Sequence, residues 1–402
     1  MSRPDGGIRW NPAAFARSRD GRRDLTLGWL TPAWIAAAAA LGLSVLGVEA
    51  IATTRPDSAA RQWAFLPIGL VAALVVAAPD YRRYRTLVPL LAAGVVFLLV
   101  FVLLPGVPDS IVRPRNGARS WISLGGLDFQ PSELAKTVFI LAMAAWLSST
   151  AVHRKWWGFL VTLGLAAVPV GLIVLEPDLG SALLFLPTLA AMLVAARGRL
   201  SHLLAGVLLA AVLGPVAYVT ALQPYQRARI DAIVAQWQGD TRFEQREGFQ
   251  GWRAMRLVGS GGVAGVGEEH ARSLVRLNAL PEEHNDMIFA VVAVRWGAIG
   301  ALATVAGYLA IVVAALATAL LGRDGFGRLV AVGIAGLTLS QASINIGMTI
   351  GLLPITGITL PFVSYGGTSL VASWINIGLL LGVGLRRPRP GDREGPAYGE
   401  VA

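Results

Sequence analysis

The chain contains no cysteine and only four histidines, His153, His202, His270 and His284. That excludes disulfides, thiolate nucleophiles and Cys-ligated zinc or iron–sulfur centres, and leaves little for a three-histidine metal site. Charge is scarce as well. Charged residues make up 14% of the 402 residues, against about 25% in an ordinary soluble domain. A chain that is 55% apolar cannot cover a soluble surface with so little charge. These shortages exclude a soluble enzyme, a disordered protein and a nucleic-acid-binding module, despite the net charge of +10. Lysine is nearly absent too, with two against 32 arginines.

What fills the chain is apolar runs, near 31–52, 63–79, 87–104, 131–149, 158–175, 178–196, 201–222, 286–321, 328–353 and 362–385. Each approaches the roughly 20 residues that cross a bilayer. The fold class expected is therefore an all-α polytopic membrane protein of about ten transmembrane helices, with a long external loop between spans seven and eight. The run 286–321 is too long for one simple span, and Arg295-Trp296-Gly297 interrupts it. We read 298–321 as the span and 286–294 as a short or re-entrant helix before it.

An even span count puts both termini on one side. Nineteen basic residues fall on that side, among them Arg82, Arg83, Arg85, Arg154, Arg197, Arg323 and Arg328. The short opposite loops hold five, Arg55, Arg61, Arg113, Arg115 and Arg119. The bias places the termini in the cytoplasm. Residues 1–30 read as a cytoplasmic basic tail rather than a removed signal peptide, since no small-residue cleavage site follows. Residues 31–385 form the membrane domain and 386–402 a second cytoplasmic tail. The external loop, 223–285, holds eight arginines and a Gly-rich stretch, Val258-Gly259-Ser260-Gly261-Gly262-Val263-Ala264-Gly265-Val266-Gly267. These arginines are either simply solvated or attract an anionic head group, which guanidinium forks match.

Within the spans, charge is costly and tends to face a cavity or a partner. Glu133 and Lys136 stand at i, i+3 on one helix face and can pair. A lysine there runs against the chain's own preference for arginine, so it is either a structural ion pair or a wanted compact ammonium. Arg119 lies in Arg113-Pro114-Arg115-Asn116-Gly117-Ala118-Arg119-Ser120-Trp121, which also suits an interfacial anchor. Asp178, in Glu176-Pro177-Asp178-Leu179-Gly180, can cap span six. Asp286 closes Leu280-Pro281-Glu282-Glu283-His284-Asn285-Asp286 and opens an apolar helix. It can be a helix cap or a general base half out of water, and spacing alone does not choose.

Taken together, these strings resemble the SEDS family, of the RodA and FtsW type. The resemblance is carried by NGARSWISLGGLDFQPSELAK at 116–136, EPDLGSALLFLP at 176–187, GSGGVAGVG at 259–267, LPEEHNDMIFAVVA at 280–293 and NIGMTIGLLPITGITLPFVSYGGTSL at 345–370. It implies a peptidoglycan glycosyltransferase that polymerises lipid II for elongation or division, working with a class B penicillin-binding transpeptidase. It also implies a bacterial cytoplasmic-membrane location and makes Asp286 the catalytic carboxylate. Glu133 and Lys136 map to the family's buried acid–lysine pair, Arg119 to its loop arginine and Asp178 to its span-six aspartate. Arg253 and Arg256 are added as head-group ligands, and a divalent cation is a candidate to help neutralise the pyrophosphate. No cofactor or nucleic acid is expected. The sequence departs from the family at Arg253-Ala254, where Gln-Ser is usual. It departs again at Asn285, usually Thr, and at Val294-Arg295-Trp296-Gly297, usually an acidic pair before Leu-Gly. The alternatives from other classes are a transporter of lipid-linked precursors and a scaffold with weakened catalysis.

Overall fold

The computed structural model describes residues 30–115, 118–125, 127–220, 222–240 and 248–386. The expectations for the two tails, apart from Leu30 and Arg386, lie outside these residues, as do Asn116 and Gly117. Long apolar stretches must satisfy their backbone groups internally, and here they do so as helices. In order these are α1 (Ala33–Thr54), α2 (Pro56–Ala77), α3 (Arg82–Leu103), α4 (Pro131–Ser149), α5 (Trp156–Leu175), α6 (Leu179–Ala195) and α7 (Leu200–Thr220). They continue as α8 (Pro224–Trp237), α9 (Phe249–Ser260), α10 (Glu268–Asn278), α11 (Ile288–Leu320), α12 (Gly325–Thr349) and α13 (Gly367–Gly384). Eight of them, α1–α3, α5, α7 and α11–α13, are long and apolar enough to cross a membrane. The apolar 17-residue α6 and the charge-bearing α4 pack against α12 at the centre of the bundle.

Two features differ from the expected outline. The 223–285 segment is not an open loop, because α8, α9 and α10 occupy most of it, with α9 packed on α11 and α12. Between α3 and α4 the chain makes a small antiparallel sheet, β1 (Val112–Arg115), β2 (Ala118–Leu124) and β3 (Leu127–Phe129). We call the end of the bundle bearing α8–α10 the loop face. The end where α1 begins and α13 finishes is the tail face.

The long eighth run is broken where its sequence interrupts it. Gly297 sits at φ 65°, ψ −158° inside α11, so the helix is two segments meeting at a kink. The first segment is buried from Ile288 to Val294. A break frees backbone groups that hydrocarbon cannot satisfy. The Gly-rich stretch satisfies them. Val266 N–H donates to Val294 O and Gly267 N–H to Arg295 O, while Ala298 N–H and Ile299 N–H donate to Gly262 O and Val263 O. So close an approach requires glycine: a Cβ on Gly265, itself at φ +83°, would lie 2.1 Å from Arg295 O. Arg295 then fastens the break to α1 and α10. It pairs with Glu268 at 2.9 Å and Glu49 at 3.4 Å, donates to Thr53 Oγ1 at 2.9 Å, and stacks on Trp296.

Gly265→Ala should therefore lower stability by about 2–4 kcal/mol, combining a left-handed non-glycine with a backbone clash. Gly259→Ala, where a Cβ meets nothing within 4 Å, should be neutral or slightly stabilising because it lies in a helix. Thermal unfolding of the purified variants in detergent measures both, and equal midpoints would remove the backbone-pairing account of the break.

Candidate functional site

Asp286 immediately precedes the buried half of α11. The turn that carries it, Pro281–Met287, is pinned carbonyl by carbonyl to the segment joining α12 and α13. Tyr365 N–H donates to His284 O at 2.9 Å, Ser364 Oγ to Asn285 O at 2.6 Å, and Asn345 Nδ2 to Asp286 O at 2.7 Å. Asn345 Nδ2 also donates to Ile358 O at 2.6 Å, locking the 355–358 stretch beside the carboxylate. A methyl group on Gly357 would lie 3.9 Å from Asp286 Oδ2.

The carboxylate itself has little support. The residue is 7% exposed, Oδ1 has no hydrogen-bond partner, and α11 starts without a side-chain cap. The capping alternative for Asp286 is thus not what the fold uses. Burial and the neighbouring Glu282 push its pKa up to about 7, against the pull of Arg229 and His284. Arg229, on α8, is fixed by stacking on Tyr225 and donating to Ile355 O at 3.2 Å. Nothing in the sequence separates it from the other loop arginines.

Next to this turn is a cavity of about 610 Å³ lined by Arg55, Arg276, Pro281, Glu282 and His284 among others. Arg55 Nε pairs with Glu283 at 2.9 Å. Burial alone would raise the Glu283 carboxyl, but the nearby His284 ring, 4.0 Å away, and the hydrogen bond from Arg55 hold it at about 2. The cavity therefore presents Arg55 and Arg276 beside the fixed carboxylate of Glu283, on the turn that also carries Asp286.

A second polar cluster stands at the start of α4 and α6. Glu133 and Lys136 are buried and paired at 2.8 Å. Asp178 feels the charges of both; burial raises its pKa, while its hydrogen bond from Ser181 N–H and Lys136 pull it down. Asp178 Oδ1 caps α6 through Ser181 N–H at 2.9 Å, and Oδ2 accepts from Gln130 Nε2 at 3.3 Å. Glu176 is also buried, both carboxylate oxygens lack partners, and burial followed by the nearby Asp178 pushes it up to about 8. The segment 355–358 links the two clusters. Gly180, two residues beyond Asp178, packs so tightly on Thr356 that a Cβ would lie 2.5 Å from its carbonyl oxygen.

Three expected residues lie elsewhere. Arg119, on β2, donates to Val107 O at 2.6 Å and pairs with Asp109 at 3.5 Å, tying the sheet to the end of α3. Arg253 donates to Ala279 O at 2.9 Å and stacks on Phe249, joining α9 to α10. Arg256 stacks on Trp252. Among the described residues no group of three or more His, Asp or Glu side chains could hold a metal ion.

The sequence profile of the FtsW/RodA/SpoVE family, described as cell cycle proteins, matches residues 30–387. Stage V sporulation protein E of Bacillus subtilis is 36% identical over 332 residues, covering 81% of this chain and 86% of that protein. A probable peptidoglycan glycosyltransferase FtsW of Geobacter metallireducens is 35% identical over 329 residues, covering 81% and 84%. Among solved structures, a chain of a peptidoglycan synthase complex coordinating polymerization and crosslinking superposes with a TM-score of 0.74. It is 31% identical and covers 87% of this chain and 97% of its own. The crystal structure of the rod shape determining protein RodA of Thermus thermophilus gives 0.65 at 28% identity, covering 89% and 98%.

Removing one partner of the buried Glu133–Lys136 pair strands the other charge. Lys136→Ala should cost about 3–5 kcal/mol of stability. The double variant Glu133→Gln/Lys136→Met should recover much of that, because no charge remains to be compensated. Melting curves of the two proteins decide, and a double variant no more stable than Lys136→Ala would sink the pairing argument.

Proposed function

The chain belongs to the SEDS family of integral membrane proteins, and from that premise we propose that it is a peptidoglycan glycosyltransferase polymerising lipid II. The observation that carries this reading is the Asp286 carboxylate: buried, free of hydrogen bonds at Oδ1, and held near neutrality, on a turn whose Glu282, Glu283 and His284 line a cavity together with Arg55 and Arg276. A general base works best when its pKa lies near the operating pH.

In the proposed reaction Asp286 takes the proton of the acceptor sugar's 4-hydroxyl as that oxygen attacks the donor's anomeric carbon. The new bond from C1 to oxygen forms while the bond from C1 to the pyrophosphate oxygen breaks. The electron pair leaves with undecaprenyl pyrophosphate, whose growing charge needs nearby cations. Arg55, Arg276 and Arg229 are placed to supply that positive field near the turn. Arg253 and Arg256, on α9, gather the anionic head group at the loop face. Arg119 acts by holding the sheet over the site. Glu133, Lys136 and Asp178 hold the 355–358 segment that faces Asp286 in place, through the start of α6.

The proposed setting is the bacterial cytoplasmic membrane, with both termini inside and the loop face outside, and a class B penicillin-binding transpeptidase as partner. Orientation rests on the arginine bias between the two faces. Because the native chain lacks cysteine, it can be tested directly. An impermeant thiol reagent applied to intact cells should label Gln238→Cys on the loop face and spare Arg83→Cys. The opposite labelling would turn the protein over and put the site on the wrong side for an exported substrate.

The catalytic assignment is tested by Asp286→Asn with purified protein, partner and lipid II. Glycan-chain formation should be abolished. In the unmutated protein the rate should fall as pH drops through about 7, where the carboxylate takes up its proton. The stability sign runs the other way. A folded-state value raised from 3.8 means the fold favours the protonated form, and that advantage is lost as pH rises through about 7. Asp286→Asn should consequently melt no lower than the unmutated protein at pH values above that point. Undiminished polymer from the variant would refute the base; loss of polymer together with a collapsed melting temperature would make the residue structural.

A further inference from the structure

The tail face carries a cavity of its own, about 550 Å³, far from the turn that bears Asp286. It opens where α4 and α6 end and where α11 turns into α12. Part of its wall is apolar, from Leu147, Ala319, Leu320 and Val332, and Leu320 is 83% exposed on the outside of the bundle. The rest is cationic: Arg154, Arg197, Arg323 and Arg328 all line it.

The lining holds one carboxylate, Asp324, and that group is already engaged. It accepts from Tyr81 Oη at 2.6 Å, Arg82 Nε at 2.9 Å and Gly327 N–H at 2.8 Å, and these hydrogen bonds hold its pKa down against the upward push of burial. The guanidinium groups of Arg197 and Arg328 make no hydrogen bond or ion pair with the described residues. Arg154 Nε is buried with no partner. Arg197 also stands at φ 57°, in the left-handed region, where the chain turns past the end of α6; Gly198 N–H closes that turn onto Leu193 O at 2.8 Å. A merely topological excess of arginine would scatter over the face. Here the arginines converge on a hollow with an apolar wall continuous with the lipid-facing surface.

We propose that this cavity binds a phosphate group, supplied by an anionic phospholipid of the leaflet at the tail face. The guanidinium forks match the phosphate oxygens, and an acyl chain runs out along the Leu320 side. The apolar wall is what favours a lipid over a soluble phosphate.

The test uses the full-length protein in detergent, supplied with phosphatidylglycerol or phosphatidylcholine, with bound lipid read by native mass spectrometry. Three proteins are compared: unmutated; Arg154→Gln/Arg197→Gln/Arg328→Gln; and a charge-matched control, Arg83→Gln/Arg85→Gln/Arg199→Gln, whose arginines do not line the cavity. Phosphatidylglycerol should be retained over phosphatidylcholine by the unmutated protein and the control. The cavity variant should bind it about tenfold more weakly. Equal losses in the two triple variants would mean a diffuse positive face and overturn the proposal, as would equal retention of the two lipids. Should the triple variant fail to fold, Arg197→Gln alone removes an exposed side chain without a contact and should still weaken retention about threefold. Inorganic pyrophosphate forms the second arm. Arginine-dependent binding of pyrophosphate with no preference for the anionic lipid would overturn the lipid source.

Discussion

Backbone amides cannot be left unpaired in hydrocarbon, and the break in α11 is where this chain meets that constraint most sharply. A helix interrupted at Gly297 exposes carbonyls at 294–295 and amides at 298–299. The glycine stretch at 262–267 folds onto them and completes the ladder. Much of the loop face follows from this one pairing. It draws α9 and α10 down against the bundle and ends the buried half-helix at a fixed depth. An unbroken helix of the same length would carry that carboxylate well clear of the segment at 355–358.

The general base proposed at Asp286 needs two things that oppose each other: a rigid position and a reluctant charge. Hydrogen bonds to the carboxylate would supply the first and destroy the second, since they favour the ionised form. The protein separates the two tasks. Rigidity comes from the backbone, through the carbonyls of His284, Asn285 and Asp286, each held by a donor from α12 or the α12–α13 segment. For the carboxylate, burial and the repulsion of Glu282 outweigh the pull of Arg229, its own backbone N–H and His284. Glu283, three residues before Asp286, shows the contrast: hydrogen-bonded by Arg55 and beside His284, it stays ionised down to about 2.

The helices were legible in the sequence because a lipid-facing helix has to be apolar over its whole length, and the interruption at Arg295-Trp296-Gly297 was legible because no bilayer needs so long a span. Lys136 stood out by composition, in a chain that otherwise chooses arginine, and it is indeed buried against Glu133. Asp286 could be raised above a helix cap only through the family resemblance. Its position depends on Asn345, 59 residues away, and no local pattern reports such a contact. The three-stranded sheet escaped for a related reason. Its strands are short, with three arginines and one tryptophan among them, and nothing in their spacing separates a hairpin from an interfacial anchor. The helices α8–α10 were hidden by polarity, which in a membrane chain reads first as loop.

The positions where this chain departs from its relatives fit the same picture. Arg295 replaces an expected acid, and it would be an expensive charge at the kink if it stood alone. Glu268, Glu49 and Thr53 surround it, so the reversed sign is answered by carboxylates on α10 and α1. Arg253, where glutamine is usual, donates one N–H to Ala279 O, a bond an amide can also make, and adds stacking on Phe249. Both changes act on how α9 and α10 are fastened to the bundle. Neither residue contributes a hydrogen bond to the carbonyls of His284, Asn285 or Asp286, or to the 355–358 segment. In both, one fastening of the loop face stands in for another.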